Sequence, residues 1–94
     1  MTITDGLISR SLDVPGARLH YEVRGSGPLL LVIGSPMPAA DFAPVAHALA
    51  GTHTVVTYDP RGLAHSTIDE PAQDATPDLR ADDVAALIDA VGHE

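Results

Sequence analysis

The residues best suited to chemistry are Gly34 and Ser35, which directly follow the aliphatic run 29–33. A run without a polar face is typical of a strand covered on both sides, usually a parallel and central one. Such sheets bind ligands beyond the carboxyl ends of their strands, where backbone N–H groups can stabilise the oxyanion of an acyl-transfer intermediate. The alternative interpretation is a loop in which one glycine and two prolines only turn the chain.

A second polar cluster, residues 59–62, follows a run of β-branched residues and contains an aspartate, an arginine and a glycine. A carboxylate at the end of a strand suggests catalysis. An aspartate two residues from an arginine beside a tight turn is more often structural, because the charged pair stabilises the turn. We therefore interpret Asp59, Arg61 and Gly62 as scaffold.

Two further patterns do not support a cofactor. The glycine-rich segment 25–27 resembles a dinucleotide-binding loop, but Pro28 and a strand follow it, so a pyrophosphate would meet no helix N-terminus. A metal centre would use histidines and aspartates that lack the His-x3-His spacing of helical metal sites. These candidates are His47, His53, His65, Asp41 and Asp59. The sequence therefore predicts neither a cofactor nor a metal.

No serine occupies a Gly-x-Ser-x-Gly segment, which places a nucleophile on a sharp strand-to-helix turn. Ser35 and Ser66 could each be combined on paper with one of the five histidines and an aspartate, but any chain of this composition allows that. We therefore expect no catalytic residue within the chain.

Four strands are expected to position these residues. Alternating apolar and polar residues predict a strand over 18–24, and Pro15-Gly16 predicts a tight turn that pairs it with 8–14 as a hairpin. The other two strands are predicted over 29–33 and 54–58. A surface loop is predicted over 63–75. The sheet is therefore expected to begin with an antiparallel pair.

Two helices are expected because apolar residues recur at helical spacing. Asp41 is a candidate N-cap of the first helix and Gly51 its end, whereas Thr76 caps the second, Pro77 begins it and Gly92 ends it. The apolar stripes are Phe42, Val45, Ala46 and Leu49 in the first helix and Val84, Leu87, Ile88 and Val91 in the second. The strand-helix-strand unit should form a right-handed parallel crossover.

The order of these elements and the two polar segments resemble the α/β-hydrolase fold family. In that family the third strand ends in His-Gly-x-Pro, and the residue at x donates its backbone N–H to the oxyanion hole. The resemblance assigns this role to Ser35 and assigns substrate contacts to Gly34, Pro36 and Met37. Ile33 occupies the position of the family's histidine.

The fourth strand of the family ends in Asp-x-Arg-Gly, which Asp59, Arg61 and Gly62 match as a structural motif. The family usually continues with a glycine and a serine, where this chain has Ala64 and Ser66. Alanine adopts left-handed backbone angles less readily than glycine. The resemblance therefore covers the motif but not every backbone position of the turn.

This resemblance implies an α/β fold: the N-terminal part of an α/β-hydrolase sheet, with an antiparallel hairpin followed by a parallel strand-helix-strand-helix, as one partial domain over residues 1–94. The nucleophile elbow, acid and histidine of the family come later, so the triad is expected beyond Glu94. The full-length form would be a serine-type hydrolase that cleaves an ester, amide or similar bond of a small-molecule substrate.

Two alternatives belong to other functional classes. One is a noncatalytic, truncated module that self-associates through its exposed sheet edge or pairs with a complementary fragment. The other is a small-ligand binding module, which would require a closed pocket that four strands hardly enclose.

The composition argues against several partners. The chain has 94 residues, no cysteine and a formal net charge of −8, and this charge opposes binding to nucleic acid or anionic membrane surfaces. Its longest aliphatic run, 29–33, is too short for a signal or membrane segment. The lack of cysteine indicates a reducing compartment, so the sequence predicts a cytoplasmic protein with no nucleic-acid or membrane partner.

Overall fold

The computed structural model describes residues 7–33, 37–69 and 76–92, which form one mixed sheet with helices. The elements, in chain order, are β1 (Ile8–Val14), β2 (Ala17–Arg24), β3 (Leu29–Leu31), a 3-10 helix (Ala39–Phe42), α1 (Ala43–Leu49), β4 (Thr54–Tyr58), β5 (Thr67–Ile68) and α2 (Pro77–Gly92). Within these described ranges no helix is long and apolar enough to cross a lipid bilayer.

The sheet has the strand order β1-β2-β4-β3, with β5 beside β2. β1 and β2 form the predicted antiparallel hairpin, which turns at Pro15-Gly16 with Gly16 at φ 80°. Glycine enters this left-handed region without the steric cost that a Cβ atom brings. β2 also pairs antiparallel with β4, whereas β3 and β4 are parallel, with Leu30 opposite Val55. The mixed sheet predicted from the sequence is confirmed.

β3 is shorter and more exposed than the sequence predicts. The strand was expected over 29–33, but it ends at Leu31, after which the Val32 N–H still donates to the Val56 carbonyl at 2.9 Å. Among the described residues only β4 pairs with β3, and Leu29 and Ile33 are 42% and 49% exposed. The outer edge of β3 is thus without a described partner, and Leu29 and Ile33 are not buried as expected for a strand with both faces covered.

The predicted surface loop over 63–75 contains an additional short strand, β5. Ile68 lies opposite Ala17 in β2, and the Asp69 N–H donates to the Gly16 carbonyl at 3.0 Å. Two residues are too few for an alternating pattern, and the strand depends on pairing with a distant segment. Sequence periodicity therefore could not find it. The rest of the expected loop, 70–75, lies outside the described residues.

The first helix forms, but its ends differ from the prediction. Asp41 lies inside the 3-10 helix, and Phe42 is at the N-cap of α1 without any side-chain hydrogen bond. The predicted Asp41 cap is wrong because the 3-10 turn leads directly into α1 and supplies its own backbone bonds. α1 ends at Leu49, and the C-cap residue Ala50 is right-handed, so Gly51 provides no left-handed cap.

The second helix follows the prediction closely. Pro77 is the first residue of α2 and Gly92 the last. The Leu79 N–H donates to Thr76 Oγ1 at 3.2 Å, which is the expected N-cap hydrogen bond. The Thr76 cap is confirmed.

α2 packs on the sheet and forms the core. The buried cluster comprises Leu19, Tyr21, Val56, Tyr58 and Leu87. Of the two predicted helical stripes only Ala46 and Leu87 are fully buried, whereas Val45 and Ile88 are 50% and 45% exposed. The described residues therefore cover only part of the apolar surface that the helices present.

A buried ion pair joins α2 to the turn after β4. Arg61 Nε donates to Asp83 Oδ2 at 2.9 Å, and Arg61 Nη2 donates to Asp83 Oδ1 at 2.7 Å, with both side chains 3% exposed. The same Nη2 also donates to the Pro15 carbonyl at 3.1 Å. The hydrogen bonds to Asp83 raise the pKa of Arg61 above its ordinary value. This pair connects the hairpin turn, the β4 turn and α2.

Stability should fall at alkaline pH because of Tyr58. Burial, and next the negative charge of Asp83, raise the pKa of the Tyr58 phenol above its ordinary value. The unfolded chain then loses this proton more readily, so the contribution to stability is complete below about pH 10 and decreases above it. We expect urea unfolding at pH 9, 10 and 11 to show this decrease and Tyr58→Phe to reduce it. Identical pH dependence in both proteins would contradict the assignment.

Candidate functional site

Asp59 is the polar centre of the candidate site, directly after β4. Its side chain is 2% exposed, and Oδ1 accepts a hydrogen bond from the Ala39 N–H at 2.7 Å. Oδ2 accepts the His65 N–H at 3.0 Å. One buried carboxylate therefore fixes two loops, the connection between β3 and α1 and the turn after β4.

The sequence predicts an oxyanion hole in the segment 34–36, which follows β3 in the chain. Gly34, Ser35 and Pro36 are outside the described residues, but both flanks of the segment are fixed. On one side the Val32 N–H binds β4, and on the other the Ala39 N–H binds Asp59. Val32 and Ala39 are therefore held by β4 and by the residue after it, one on each side of the expected donor loop.

The backbone around Asp59 is connected to β2 through Ser66. The Asp59 N–H donates to the His20 carbonyl at 2.9 Å, and the His20 N–H donates to Ser66 Oγ at 2.8 Å. Ser66 Oγ in turn donates to the Asp59 carbonyl at 2.5 Å. This buried hydroxyl therefore accepts a hydrogen bond from one backbone group and donates one to another.

Two histidine side chains lie beside Asp59. The His20 and His65 rings are 4.9 Å apart between centroids, and His65 Nδ1 is 3.3 Å from Asp59 Oδ2. One nitrogen of each ring and one carboxylate oxygen lie within 4.8 Å of one another. The sequence placed His20 on the polar side of β2 and considered His65 with other partners, so this grouping was missed. Only the antiparallel pairing of β2 with β4 brings the three together.

Four other residues that the sequence singled out, Met37, Asp59, Arg61 and Gly62, lie among the described residues. Met37 is 40% exposed and precedes the 3-10 helix, and Gly62 has φ 76°. The sequence suggested that Asp59 and Arg61 form a pair across the turn, but each binds a different partner, Asp59 the backbone of two loops and Arg61 the carboxylate of Asp83. Both side chains are buried and hold neighbouring segments together.

Ala64 is the one non-glycine among the described residues with a positive φ, at 51°. A Cβ atom in this conformation costs roughly 1–2 kcal/mol. Because glycine also loses more entropy on folding, we expect Ala64→Gly to raise the free energy of unfolding by about 0.5–1 kcal/mol.

Urea denaturation measures the effect of Ala64→Gly, and the same substitution in α1, Ala48→Gly, is the control. The control should lower stability by about 1 kcal/mol because that position is helical. A loss of stability in both variants would show that the left-handed angle at Ala64 is not strained.

Two pockets are formed by residues other than Asp59. One, of about 410 Å³, lies beside the hairpin turn and is lined by Asp13, Val14, Ala17, Arg18, Thr67 and Asp69. Its exposed charged groups include the Arg18–Asp13 ion pair, with Nε and Oδ1 2.7 Å apart. This pocket offers no group that the resemblance places in catalysis.

Comparison with known proteins defines the class. No protein-family model matches the chain. Proteins of similar sequence and structure are hydrolases, among them α/β-hydrolases, and the chain has the fold of the corresponding part of an α/β-hydrolase.

Three proteins illustrate the relationship. The chain is 42% identical over 89 residues to the uncharacterized hydrolase YraK of Bacillus subtilis, covering 94% of this chain and 31% of YraK. It is 35% identical over 82 residues to the soluble epoxide hydrolase of Corynebacterium sp. strain C12, covering 86% of this chain and 28% of that enzyme. The crystal structure of an α/β-hydrolase from Sphaerobacter thermophilus aligns with a TM-score of 0.73 and 36% identity, covering 88% and 32% of the two chains. The chain therefore spans about a third of the length of these relatives.

Proposed function

We propose that this chain is the N-terminal part of a serine-type α/β-hydrolase and supplies the oxyanion loop of its active site. The nucleophile, its histidine base and the orienting acid would lie beyond Glu94. The hydrolases that resemble the chain are about three times as long, which is consistent with this division.

One observation carries the proposal: Asp59 holds Ala39 by a 2.7 Å hydrogen bond directly beyond the predicted donor loop. A loop that donates to an oxyanion must be fixed before the reaction, because its contribution depends on donors that need no reorganisation. The carboxylate is almost inaccessible to solvent, so water competes little for this hydrogen bond.

In the proposed chemistry this chain contributes an oxyanion donor and substrate contacts but no catalytic triad residue. In the complete protein a serine attacks the carbonyl carbon of an ester or amide while the histidine removes its proton. The carbonyl oxygen becomes an oxyanion, which the Ser35 N–H stabilises, and the leaving group then takes the proton from the histidine. Gly34, Pro36 and Met37 would contact the substrate. Water releases the acyl group in a second, equivalent step.

A chimeric enzyme tests the proposal. The matching segment of YraK is replaced by this chain, and turnover of activated esters and simple epoxides is compared with parental YraK and with the isolated 94-residue chain. We expect the folded chimera to retain a substrate preference of the parent and the isolated chain to show no turnover above buffer. The epoxides are included because the Corynebacterium relative is an epoxide hydrolase.

A second chimera is made with the Corynebacterium soluble epoxide hydrolase, because one chimera could be inactive only through poor packing between its two parts. Circular dichroism and unfolding curves establish that each chimera is folded. Folded but inactive chimeras in both recipients would overturn the proposal. Saturable turnover by the isolated chain that disappeared in Ser35→Ala or Ser66→Ala would show that the nucleophile lies within this chain.

Self-association is a second candidate function, and the exposed edge of β3 supports it. Leu29 and Ile33 are strongly exposed on this edge, and Ile88 of α2 lies close by in an apolar crevice. The strand carries neither a charge nor a proline to discourage pairing with another chain.

We expect association of the isolated chain to increase with salt. The formal net charge of −8 repels a second copy, and salt screens this repulsion over a Debye length of about 10 Å at 0.1 M. Sedimentation velocity from low to moderate salt measures the effect, and Leu30→Lys, inside the strand, should suppress it. A monomer at every salt concentration, with cooperative unfolding, would exclude this function.

A further inference from the structure

We propose that His20, His65 and Asp59 form a binding site for a divalent transition-metal ion, Zn²⁺ in particular. This site shares Asp59 with the proposed hydrolase function, whose chemistry needs no metal. Two imidazoles and one carboxylate are a donor set that suits first-row transition metals better than Mg²⁺ or Ca²⁺.

The distances suit such an ion after a small adjustment. Zinc binds imidazole nitrogen and carboxylate oxygen at roughly 2.0–2.2 Å, so two ligand atoms on a tetrahedral ion lie roughly 3.3 Å apart. His65 Nδ1 and Asp59 Oδ2 already have this separation, 3.3 Å. The three ligand atoms lie within 4.8 Å of one another, so no pair of them has to approach by more than about 1.5 Å. The His65 side chain is 78% exposed and can rotate to do this.

The backbone holds the three ligands together before any ion binds. Asp59 and His20 are joined by a backbone hydrogen bond, and Ser66, next to His65, bridges both of them through its hydroxyl. The His65 N–H adds a fourth link to Asp59. Little conformational entropy therefore remains to be lost at the ligand backbone when the metal binds.

Each histidine of the cluster has a carboxylate beside it. Besides Asp59, a second carboxylate, Glu22, has Oε2 3.4 Å from His20 Nε2, and Arg24 Nη1 donates to Glu22 Oε1 at 3.2 Å. A carboxylate beside a ligating histidine orients the ring and strengthens it as a ligand. Asp59 Oδ2, which also accepts the His65 N–H at 3.0 Å, is the carboxylate oxygen beside His65 Nδ1 and would be the ligand atom.

Titration calorimetry with ZnCl₂ tests the proposal on the 94-residue chain without an affinity tag. We expect one ion per chain, with His65→Gln and His20→Gln each weakening the affinity at least about tenfold. His47→Gln, at an exposed position in α1, is the matched control and should leave the affinity unchanged. Cobalt(II) in place of zinc should give visible absorption bands that His65→Gln abolishes.

Three results would overturn the proposal: a folded chain that binds no zinc, an equal loss of affinity in His47→Gln, and binding that His65→Gln does not weaken. If the isolated chain is only partly folded, zinc that binds all three ligands should stabilise the folded state, because the ligands meet only when β2 and β4 pair. Zinc should then increase the far-ultraviolet circular dichroism of the wild-type chain but not that of His65→Gln. An identical response in both chains would also count against the site.

Discussion

Asp83→Ala is expected to lower the free energy of unfolding by about 3–5 kcal/mol, because it leaves the guanidinium of Arg61 buried without its carboxylate. Both Arg61 hydrogen bonds to this carboxylate are short, and both side chains are 3% exposed. Domains of this size are stable by only about 5–15 kcal/mol. Urea denaturation followed by circular dichroism should therefore show a chain close to or beyond its unfolding transition without denaturant.

The neighbouring residue provides a matched control for Asp83→Ala. Asp82 is exposed on the same helix, so Asp82→Ala should change stability by less than about 0.5 kcal/mol. The double variant Arg61→Met/Asp83→Leu removes both charges and should recover most of the loss. If Asp83→Ala and Asp82→Ala behave alike, the ion pair does not fix α2 to the turn.

Ser35→Pro in the YraK chimera is expected to reduce kcat about 10²–10³-fold, because proline has no N–H to donate to the oxyanion. This prediction follows from the proposed role of the main chain at Ser35 and not from its hydroxyl. The measurement is steady-state turnover of the ester or epoxide that the chimera accepts best.

Ser35→Ala separates the main chain from the side chain. This variant keeps the N–H and should retain most of kcat. Circular dichroism must show that both variants are folded. A large loss in a folded Ser35→Ala chimera would show that the hydroxyl acts in catalysis, and full activity of Ser35→Pro would exclude the proposed donor.

The parts of the fold that the sequence predicted are those specified by local pattern. The alternation of β2, the Pro15-Gly16 turn and the Thr76 cap each depend on residues close together in the chain. β5 and the exposure of β3 depend instead on which distant segments lie alongside, and periodicity carries no information on that. The Asp41 cap failed for a local reason, since a 3-10 turn can replace a side-chain cap.

Only part of the candidate site could be predicted, because sequence patterns report on residues that are close together in the chain. The motif positions Asp59 and Arg61 were found from sequence, but their partners, Ala39 and Asp83, are 20 and 22 residues away. No spacing rule connects residues across such separations. The pairing of His20 with His65 likewise follows from the β2–β4 register, which only the structure provides.

The position of β2 has a consequence for local unfolding. β2 pairs with β1 along its length, and its other side is shared between β5 at Ala17 and Arg18 and β4 from Tyr21 to Arg24. Fraying of the outer strands β1 or β3 leaves β2 with a partner on at least one side. Its amide hydrogens should therefore exchange with solvent mainly through global opening, whereas those of β3 exchange through local fluctuations. We therefore expect β2 to be the last strand to separate, since β1, β4 and β5 pair with it directly and β3 is joined to it through β4.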